Sequence, residues 1–153
     1  MSDIVFNLAK GRVAELYNRV KSNDPANSAL IIVPIDRGAA TDATLKDLDT
    51  LTAVLGAGVT ERSTSGWARK TLTDADLAAL TVDDTNDRMP CAVPQQTWAS
   101  VTAGAVTDLL FCYDADTTSG TDANIIPLTC GAFPITPDGS DVILAAGDFY
   151  RAS

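Results

Sequence analysis

Short apolar runs, each closed by turn residues, fill residues 107–152 and constrain the fold more than any other feature of this chain. The runs read T-D-L-L-F-C-Y, N-I-I-P-L-T and V-I-L, with D-F-Y-R-A at the end. Such lengths and residue types are typical of strands, and the Asp, Gly, Ser and Pro residues between them suit turns. The pattern predicts a β-rich module.

The length of 153 residues is enough for one domain with a substantial core. We predict a β-dominated α+β fold, with an antiparallel β-sandwich or barrel-like module and an N-terminal amphipathic helix. Residues 1–25 are assigned to a helical arm and residues 26–153 to the β-rich domain, within a single globular domain overall. Acidic residues are nearly all Asp, which favours turns over helix interiors.

Residues 6–21 carry apolar side chains at helical spacing, with basic residues on the other side. Gly11 weakens a helix by roughly 1 kcal/mol relative to Ala, which indicates close packing or a kink there. Asp24 precedes Pro25 and ends the helix, because the residue before a proline is pushed out of the α region. The helix either covers the core or forms a basic arm that docks on a neighbouring subunit.

Residues 29–33, A-L-I-I-V, predict a central strand buried on both faces, which Pro34 and Gly38 close. Residues 41–55 place leucines at three- and four-residue steps and predict one short helix, or an irregular, partly extended segment. Thr41 or Asp42 is the candidate N-cap of that helix, and Gly56 is its stop.

The middle of the chain has weaker patterns. Residues 63–72 indicate a turn followed by a strand that carries Trp67. Residues 74–80 fit either one helical turn or the end of that strand, and residues 81–88 indicate a strand and an Asx-rich turn. Residues 91–101 alternate like an edge strand, since the flanking prolines cannot donate to a ladder.

The absence of histidine excludes Ser-His, Cys-His and His-containing metal sites. A formal charge of −9 argues against direct nucleic-acid binding, which depends on Lys and Arg. No run approaches the roughly 18 apolar residues of a membrane span, so we also expect no membrane partner. No glycine-rich phosphate loop follows a predicted strand, so we expect no cofactor.

The acidic loop at residues 114–122 is the one candidate for carboxylate chemistry. It resembles a Ca²⁺ loop through Asp114, Asp116, Thr118, Gly120 and Asp122. The glycine falls one position late and Ile125 stands where an EF-hand has Glu, so a long solvated turn is the preferred interpretation. The remaining alternative is a glycan-binding or glycan-degrading site that uses Asp114 or Asp116 beside Trp98 or Tyr113. Core packing is preferred for most of the aromatic residues.

The three cysteines, Cys91, Cys112 and Cys130, are far apart and lie in or beside apolar runs. Buried free thiols are the preferred interpretation. A disulfide between neighbouring strands, or a cross-link between subunits, remains open. We predict no catalytic, cofactor-binding or metal-binding residue in the chain.

Several longer stretches of the chain resemble small structural proteins of tailed bacteriophage virions. Those proteins are head components of the decoration or cement type, and none of the shared stretches is a catalytic motif. The stretches are residues 11–25 (G-R-V-A-E-L-Y-N-R-V-K-S-N-D-P), 65–72 (S-G-W-A-R-K-T-L), 83–88 (D-D-T-N-D-R), 96–98 (Q-T-W), 109–122 (L-L-F-C-Y-D-A-D-T-T-S-G-T-D), 125–129 (I-I-P-L-T) and 135–141 (I-T-P-D-G-S-D).

The resemblance implies a non-enzymatic capsid decoration protein on the outside of the major capsid shell. It would be made in the cytoplasm of the bacterial host and then lie in the virion, with the major capsid protein as its partner. We expect a homo-oligomer, a trimer or a dimer, around a local symmetry axis. A neck, tail or head-fibre component of the same virion is the alternative.

Overall fold

The β-branched run at residues 29–33 lies at the centre of a six-stranded antiparallel sheet, in a computed structural model that describes residues 3–152. The predicted β-dominated α+β fold is confirmed. The strands of the described range are β1 Ile4–Val5, β2 Ala29–Asp36, β3 Thr60–Glu61, β4 Lys70–Leu72, β5 Met89–Val93, β6 Gln96–Trp98, β7 Val106–Asp114, β8 Ile126–Ile135, β9 Val142–Leu144 and β10 Gly147–Ala152, and the helices are α1 Val13–Lys21, α2 Asp42–Lys46 and α3 Leu51–Gly56.

The main sheet has the order β1-β8-β7-β2, and β3 and β4 both lie along the far side of β2. Two ribbons, β5 with β10 and β6 with β9, complete the strand pairing among the described residues. Every pairing between these strands is antiparallel. The β-rich pattern of residues 107–152 therefore corresponds to four strands, which are divided between the main sheet and the two ribbons.

β2 is central and buried on both faces, as predicted. The prediction that Pro34 ends this strand is wrong, because the strand continues to Asp36. The Pro34 carbonyl accepts the Arg62 N–H on the side of β3 and β4. In a strand, the N–H and C=O groups of one residue point to the same side. The N–H that Pro34 lacks would therefore point toward the gap between the part of β2 that pairs with β4 and the part that pairs with β3. The continuous ladder with β7 loses no hydrogen bond there.

The N-terminal helix is shorter than predicted. α1 begins at Val13, and β1 and a 3₁₀ turn at Asn7–Ala9 occupy the positions before it. The cause is Gly11, whose φ of +76° lies outside the right-handed helical region. No atom lies within 4 Å of a Cβ built on Gly11, so backbone conformation and not close packing places glycine here.

The apolar face of α1 is buried in the same core as the sheet. The helix therefore covers the core, which is the first of the two interpretations given above. The helix packs against β2 and β5. The Tyr17 hydroxyl lies 2.9 Å from the carbonyl oxygens of both Ala78 and Ala92, within hydrogen-bonding distance of each. These contacts fasten the helix to the segment that enters and forms β5.

The single helix predicted for residues 41–55 is wrong, because the structure has two short helices. Thr41, one of the two predicted candidates, caps α2 by accepting the Thr44 N–H at 3.2 Å. Thr50 caps α3 in the same way, accepting the Ala53 N–H at 3.1 Å. The second cap starts a new helix because an N-cap residue has extended backbone angles that a continuous helix cannot contain.

Two other strand predictions also need correction. The strand predicted to carry Trp67 begins only at Lys70, since Trp67 lies in a turn closed by its N–H to the Thr64 carbonyl. The single edge strand predicted for residues 91–101 is two strands, β5 and β6, which pair with different partners. Residues 74–76 form a turn, and Asp83 and Arg88 make an isolated bridge around the predicted Asx-rich turn.

Replacing glycine by alanine at two positions tests the account of Gly11. Gly11→Ala forces a Cβ into the left-handed region and should lower the free energy of unfolding by about 1–2 kcal/mol. The matched variant Gly56→Ala lies in α3 with open space around its Cβ, and there it should raise stability by up to about 1 kcal/mol. Urea denaturation followed by circular dichroism measures both, and equal effects of the two changes would contradict the assignment.

Candidate functional site

The carboxylates of the acidic loop organise the loop itself. Asp114 Oδ1 accepts the Asp116 N–H at 3.0 Å, and Asp116 in turn accepts hydrogen bonds from the N–H and hydroxyl of Thr118 and from the Ser119 hydroxyl. The hydrogen bonds from Ser119 and Thr118 lower the pKa of Asp116. Asp114 is buried, so the prediction that the whole loop is solvated is wrong at that residue.

Gly120 is required by this arrangement. A Cβ at this position would lie 2.8 Å from the Asp116 carbonyl oxygen and 3.1 Å from both carboxylate oxygens of Asp114. The loop therefore closes tightly around the Asp114 carboxylate. Within the described part of the chain, no three His, Cys, Asp or Glu side chains form a group that could hold a metal ion.

Trp98 and Tyr113, the aromatic residues considered for glycan binding, are both buried. The indole N–H of Trp98 donates to the Ala68 carbonyl at 2.7 Å, and its ring packs against Trp67 at a centroid distance of 5.4 Å. Core packing is confirmed for both tryptophans and for Tyr113. In this conformation Trp98 and Tyr113 have no solvent-facing ring surface beside the acidic loop on which a sugar could stack.

The three cysteines are free and buried, which confirms the preferred interpretation. Burial raises the pKa of Cys91 and of Cys130 to about 12 and holds that of Cys112 well above its ordinary value. A thiol with such a pKa stays protonated at neutral pH, and the thiolate is the reactive form. These side chains therefore pack as small apolar groups.

Arg37 forms a buried charge cluster that the sequence patterns did not reveal. Its Nη2 lies 2.9 Å from Oδ1 of Asp108, a residue with no exposed surface, and its Nη1 pairs with Asp42. The Cys130 sulfur lies 3.4 Å from the same Nη2. Arg37 follows β2 and Asp108 lies in β7, so the pairing of these two strands brings together residues that are distant in sequence.

A second arginine joins three segments. Arg69, just before β4, lies 2.6 and 2.7 Å from the two carboxylate oxygens of Glu61 and 2.7 and 2.8 Å from those of Asp122. The guanidinium lowers the pKa of Asp122, mainly through the hydrogen bond. The end of the acidic loop is therefore held to β3 and to the start of β4 by charge-assisted hydrogen bonds.

A cleft of about 200 Å³ lies between the main sheet and the two ribbons. Three of its lining residues are polar: Thr129 in β8, whose hydroxyl is itself buried, Asp148 in β10, and Asp3 just before β1. Its apolar walls come from β5, β7, β8, β9 and β10 and consist of Val93, Leu109, Phe111, Phe133, Leu144 and Phe149.

This cleft is the best candidate for a functional site, because its walls are apolar and only a few of its lining residues are polar. Its volume is below the about 300–1,000 Å³ of pockets that hold drug-sized ligands. The size fits one side chain or a small organic group. Sequence reasoning missed it because its lining comes from five strands whose relative positions no local pattern encodes.

Comparison with family models, with curated proteins and with solved structures finds no match to this chain. Among residues 3–152, no helix is long and apolar enough to cross a membrane.

Removing Arg37 should destabilise the protein strongly. Arg37→Met leaves the Asp108 carboxylate buried without its cation, and loss of one partner of a buried pair costs about 3–5 kcal/mol. The control is Arg19→Met, which removes an arginine from an exposed ion pair with Glu15 and should have a far smaller effect. Chemical denaturation measures both, and a similar loss in the two variants would contradict the structural role of the buried pair.

The hydrogen bonds between Asp122 and Arg69 should affect how the free energy of unfolding changes with pH in the acid range. A carboxyl whose folded pKa is lowered stabilises the protein above the unfolded value, here 3.8, and that contribution is lost as pH falls toward the folded pKa. Asp122→Asn should therefore lose less stability than the wild type between about pH 5 and about pH 2. Asp49→Asn controls for the change in net charge, and an unaltered acid limb in Asp122→Asn would contradict the linkage.

Proposed function

We propose that this protein is a non-enzymatic bacteriophage virion component that binds the outside of the major capsid shell as a decoration or cement protein. The observation that supports this most is that the charged side chains described above contact other groups of the same protein. Arg37 and Arg69 join strands and loops to one another, and Asp114 and Asp116 accept hydrogen bonds from other residues of the acidic loop. The resemblance of the sequence stretches to phage head proteins supplies the biological context.

The rigidity of the framework suits such a role. A cement protein must resist distortion while it bridges neighbours, and a buried central strand with ion pairs across its loops resists distortion. The thiols and tryptophans pack inside the protein and contribute to this framework. The cleft of about 200 Å³ between the main sheet and the ribbons has the size of a side chain, which suits recognition of another protein surface.

The charge of the protein also favours the outer face of a capsid. A formal charge of −9 repels packaged nucleic acid, so a position facing the genome would be electrostatically unfavourable. An acidic outer protein instead requires basic groups on the shell surface that it contacts. Assembly as a dimer or trimer around a local symmetry axis would multiply such contacts.

Binding to shells that lack the protein tests this function. Purified protein mixed with such capsid shells should co-sediment at a fixed and saturable stoichiometry. An acidic protein of similar size and charge serves as the control and should stay in the supernatant. Absence of co-sedimentation over a range of salt concentrations would overturn the proposal.

The number of copies on the native particle separates a decoration role from a position at the neck or tail. A cryo-EM map should show density for this fold repeated over the whole shell. Density confined to one ring at a single vertex would contradict decoration and support the neck or tail alternative.

A further inference from the structure

Basic side chains outnumber acidic ones on the outer side of α1 and in the turn before it. Lys10, Arg12 and Arg19 are exposed there, and Glu15 is the only acidic residue between positions 10 and 21. Arg12 and Arg19 share that single carboxylate through Nε contacts of 3.5 and 3.2 Å. Every other arginine has a carboxylate partner, among residues 3–152, that it shares with no other arginine. We call Lys10, Arg12, Glu15 and Arg19 the basic face.

The fold of one copy does not account for the positive charge of the basic face. The ion pairs of Glu15 are exposed on both sides, and exposed pairs contribute little to stability. Lys10 and Arg12 lie at the N-terminal end of α1, where the helix dipole disfavours cations. Residues 10–21 carry four basic side chains and one acidic side chain, a net +3 in a chain of −9, so the remaining residues carry −12. This local excess of positive charge indicates an acidic partner surface.

The turn at residues 83–88 has the complementary charge. Asp84 and Asp87 are exposed, and neither carboxylate has a hydrogen-bond or ion-pair partner among residues 3–152. Asp83 is used within the turn, because it accepts the Arg88 Nε–H at 2.8 Å and its backbone pairs with that of Arg88. The turn therefore holds two available carboxylates on a well-defined backbone.

An exposed apolar side chain accompanies each charged surface. Three large apolar side chains are exposed within residues 3–152, and two of them are Val82 and Leu8. Val82, directly before the 83–88 turn, is 59% exposed, and Leu8, in the 3₁₀ turn before α1, is 37% exposed. One exposed apolar residue is ordinary on a protein surface. Here the two stand beside surfaces of opposite charge, and protein interfaces combine apolar contacts with a polar rim.

We propose that the basic face of one copy binds the 83–88 turn of a second copy of this chain. An arginine has five donors, and Glu15 contacts only the Nε of Arg12 and of Arg19, so donors remain for Asp84 and Asp87. The overall charge of −9 opposes this contact only weakly, because exposed charges more than about 8–10 Å apart are largely screened at physiological salt. The directly facing charges, which are opposite in sign, decide the interaction.

The contact joins two different surfaces of the same chain, so each copy offers both halves of it. Among the described residues of one copy, no hydrogen bond or ion pair joins the basic face to the 83–88 turn. Two or three copies can then close the contact around a symmetry axis. The contact goes beyond the proposed function and does not rest on it, because it involves only copies of this chain.

Complementary charge reversal tests the contact. Arg12→Glu with Arg19→Glu makes the basic face acidic, and Asp84→Lys with Asp87→Lys makes the turn basic. The wild type should form a dimer or trimer, whereas each double variant alone should have the monomer mass of 16.0 kDa, because like charges then face each other. An equimolar mixture of the two variants should associate again, because each offers the charge that the other requires. Size-exclusion chromatography with light scattering measures the masses.

Matched controls keep the test specific. Lys46→Glu with Asp49→Lys reverses one basic and one acidic residue that belong to neither surface, and it should leave the wild-type mass unchanged. Val82→Ser should weaken association, and so should added salt, which screens exposed charge pairs. Circular dichroism should show the wild-type fold in every variant, since the four reversed residues are exposed. A monomeric wild type, or a mixture that stays monomeric while the wild type associates, would overturn the proposal.

Capsid shells separate failure of this contact from failure of the proposed function. A wild type that stays monomeric and still saturates the shells at a fixed stoichiometry would overturn the contact and leave the decoration role intact. A protein that forms the charge-dependent oligomer and never co-sediments with shells would support the contact and overturn the decoration role.

Discussion

β2 has no solvent-facing side, and most of the remaining chain serves to enclose it. Its long antiparallel pairing with β7 runs from Ala29 opposite Asp114 to Ile35 opposite Asp108. β3 and β4 satisfy its other edge in succession, α1 packs against it, and the buried residues of α2 and α3 join the same core. The backbone polar groups of a fully buried strand must all find hydrogen-bond partners. β7 supplies them along one edge of β2, and the two short strands β3 and β4 supply them along the opposite edge.

The burial of the central strands also buries charged side chains. Asp108 enters the interior with β7, and the Arg37 guanidinium that follows β2 neutralises it. Arg69 does the same at the periphery, where it holds Glu61 and Asp122 together. Arginine suits both places because its planar, permanently charged group carries several donors: Arg37 contacts two different carboxylates, and Arg69 forms two hydrogen bonds to each of two carboxylates. These pairs give specificity to the sheet register, since a shift of one residue would separate the charges.

The cleft lies beside a strand, β8, that is only partly paired on its outer edge. β8 is ten residues long, whereas β1 covers only Cys130 and Thr129 of its outer edge. Strands of both ribbons and of the main sheet line the cleft, and its walls are apolar. A site with walls on five strands is largely preformed, so a binding side chain would lose little free energy to ordering of the protein. This preorganisation is compatible with the recognition role proposed for the protein.

The sequence alone was enough to predict the β-dominated class, the buried central strand and the burial of the thiols, and to exclude histidine chemistry. It narrowed the cap of α2 to Thr41 or Asp42. Each depends on residue type or on spacing within a few positions. Local patterns also implied the conformational importance of Gly11 but placed the start of the helix too early. The Arg37–Asp108 pair, the burial of Asp114 and the cleft between the main sheet and the ribbons are visible only in the folded chain. These features depend on strand order and register, which bring together residues far apart in the chain, and no local periodicity encodes that arrangement.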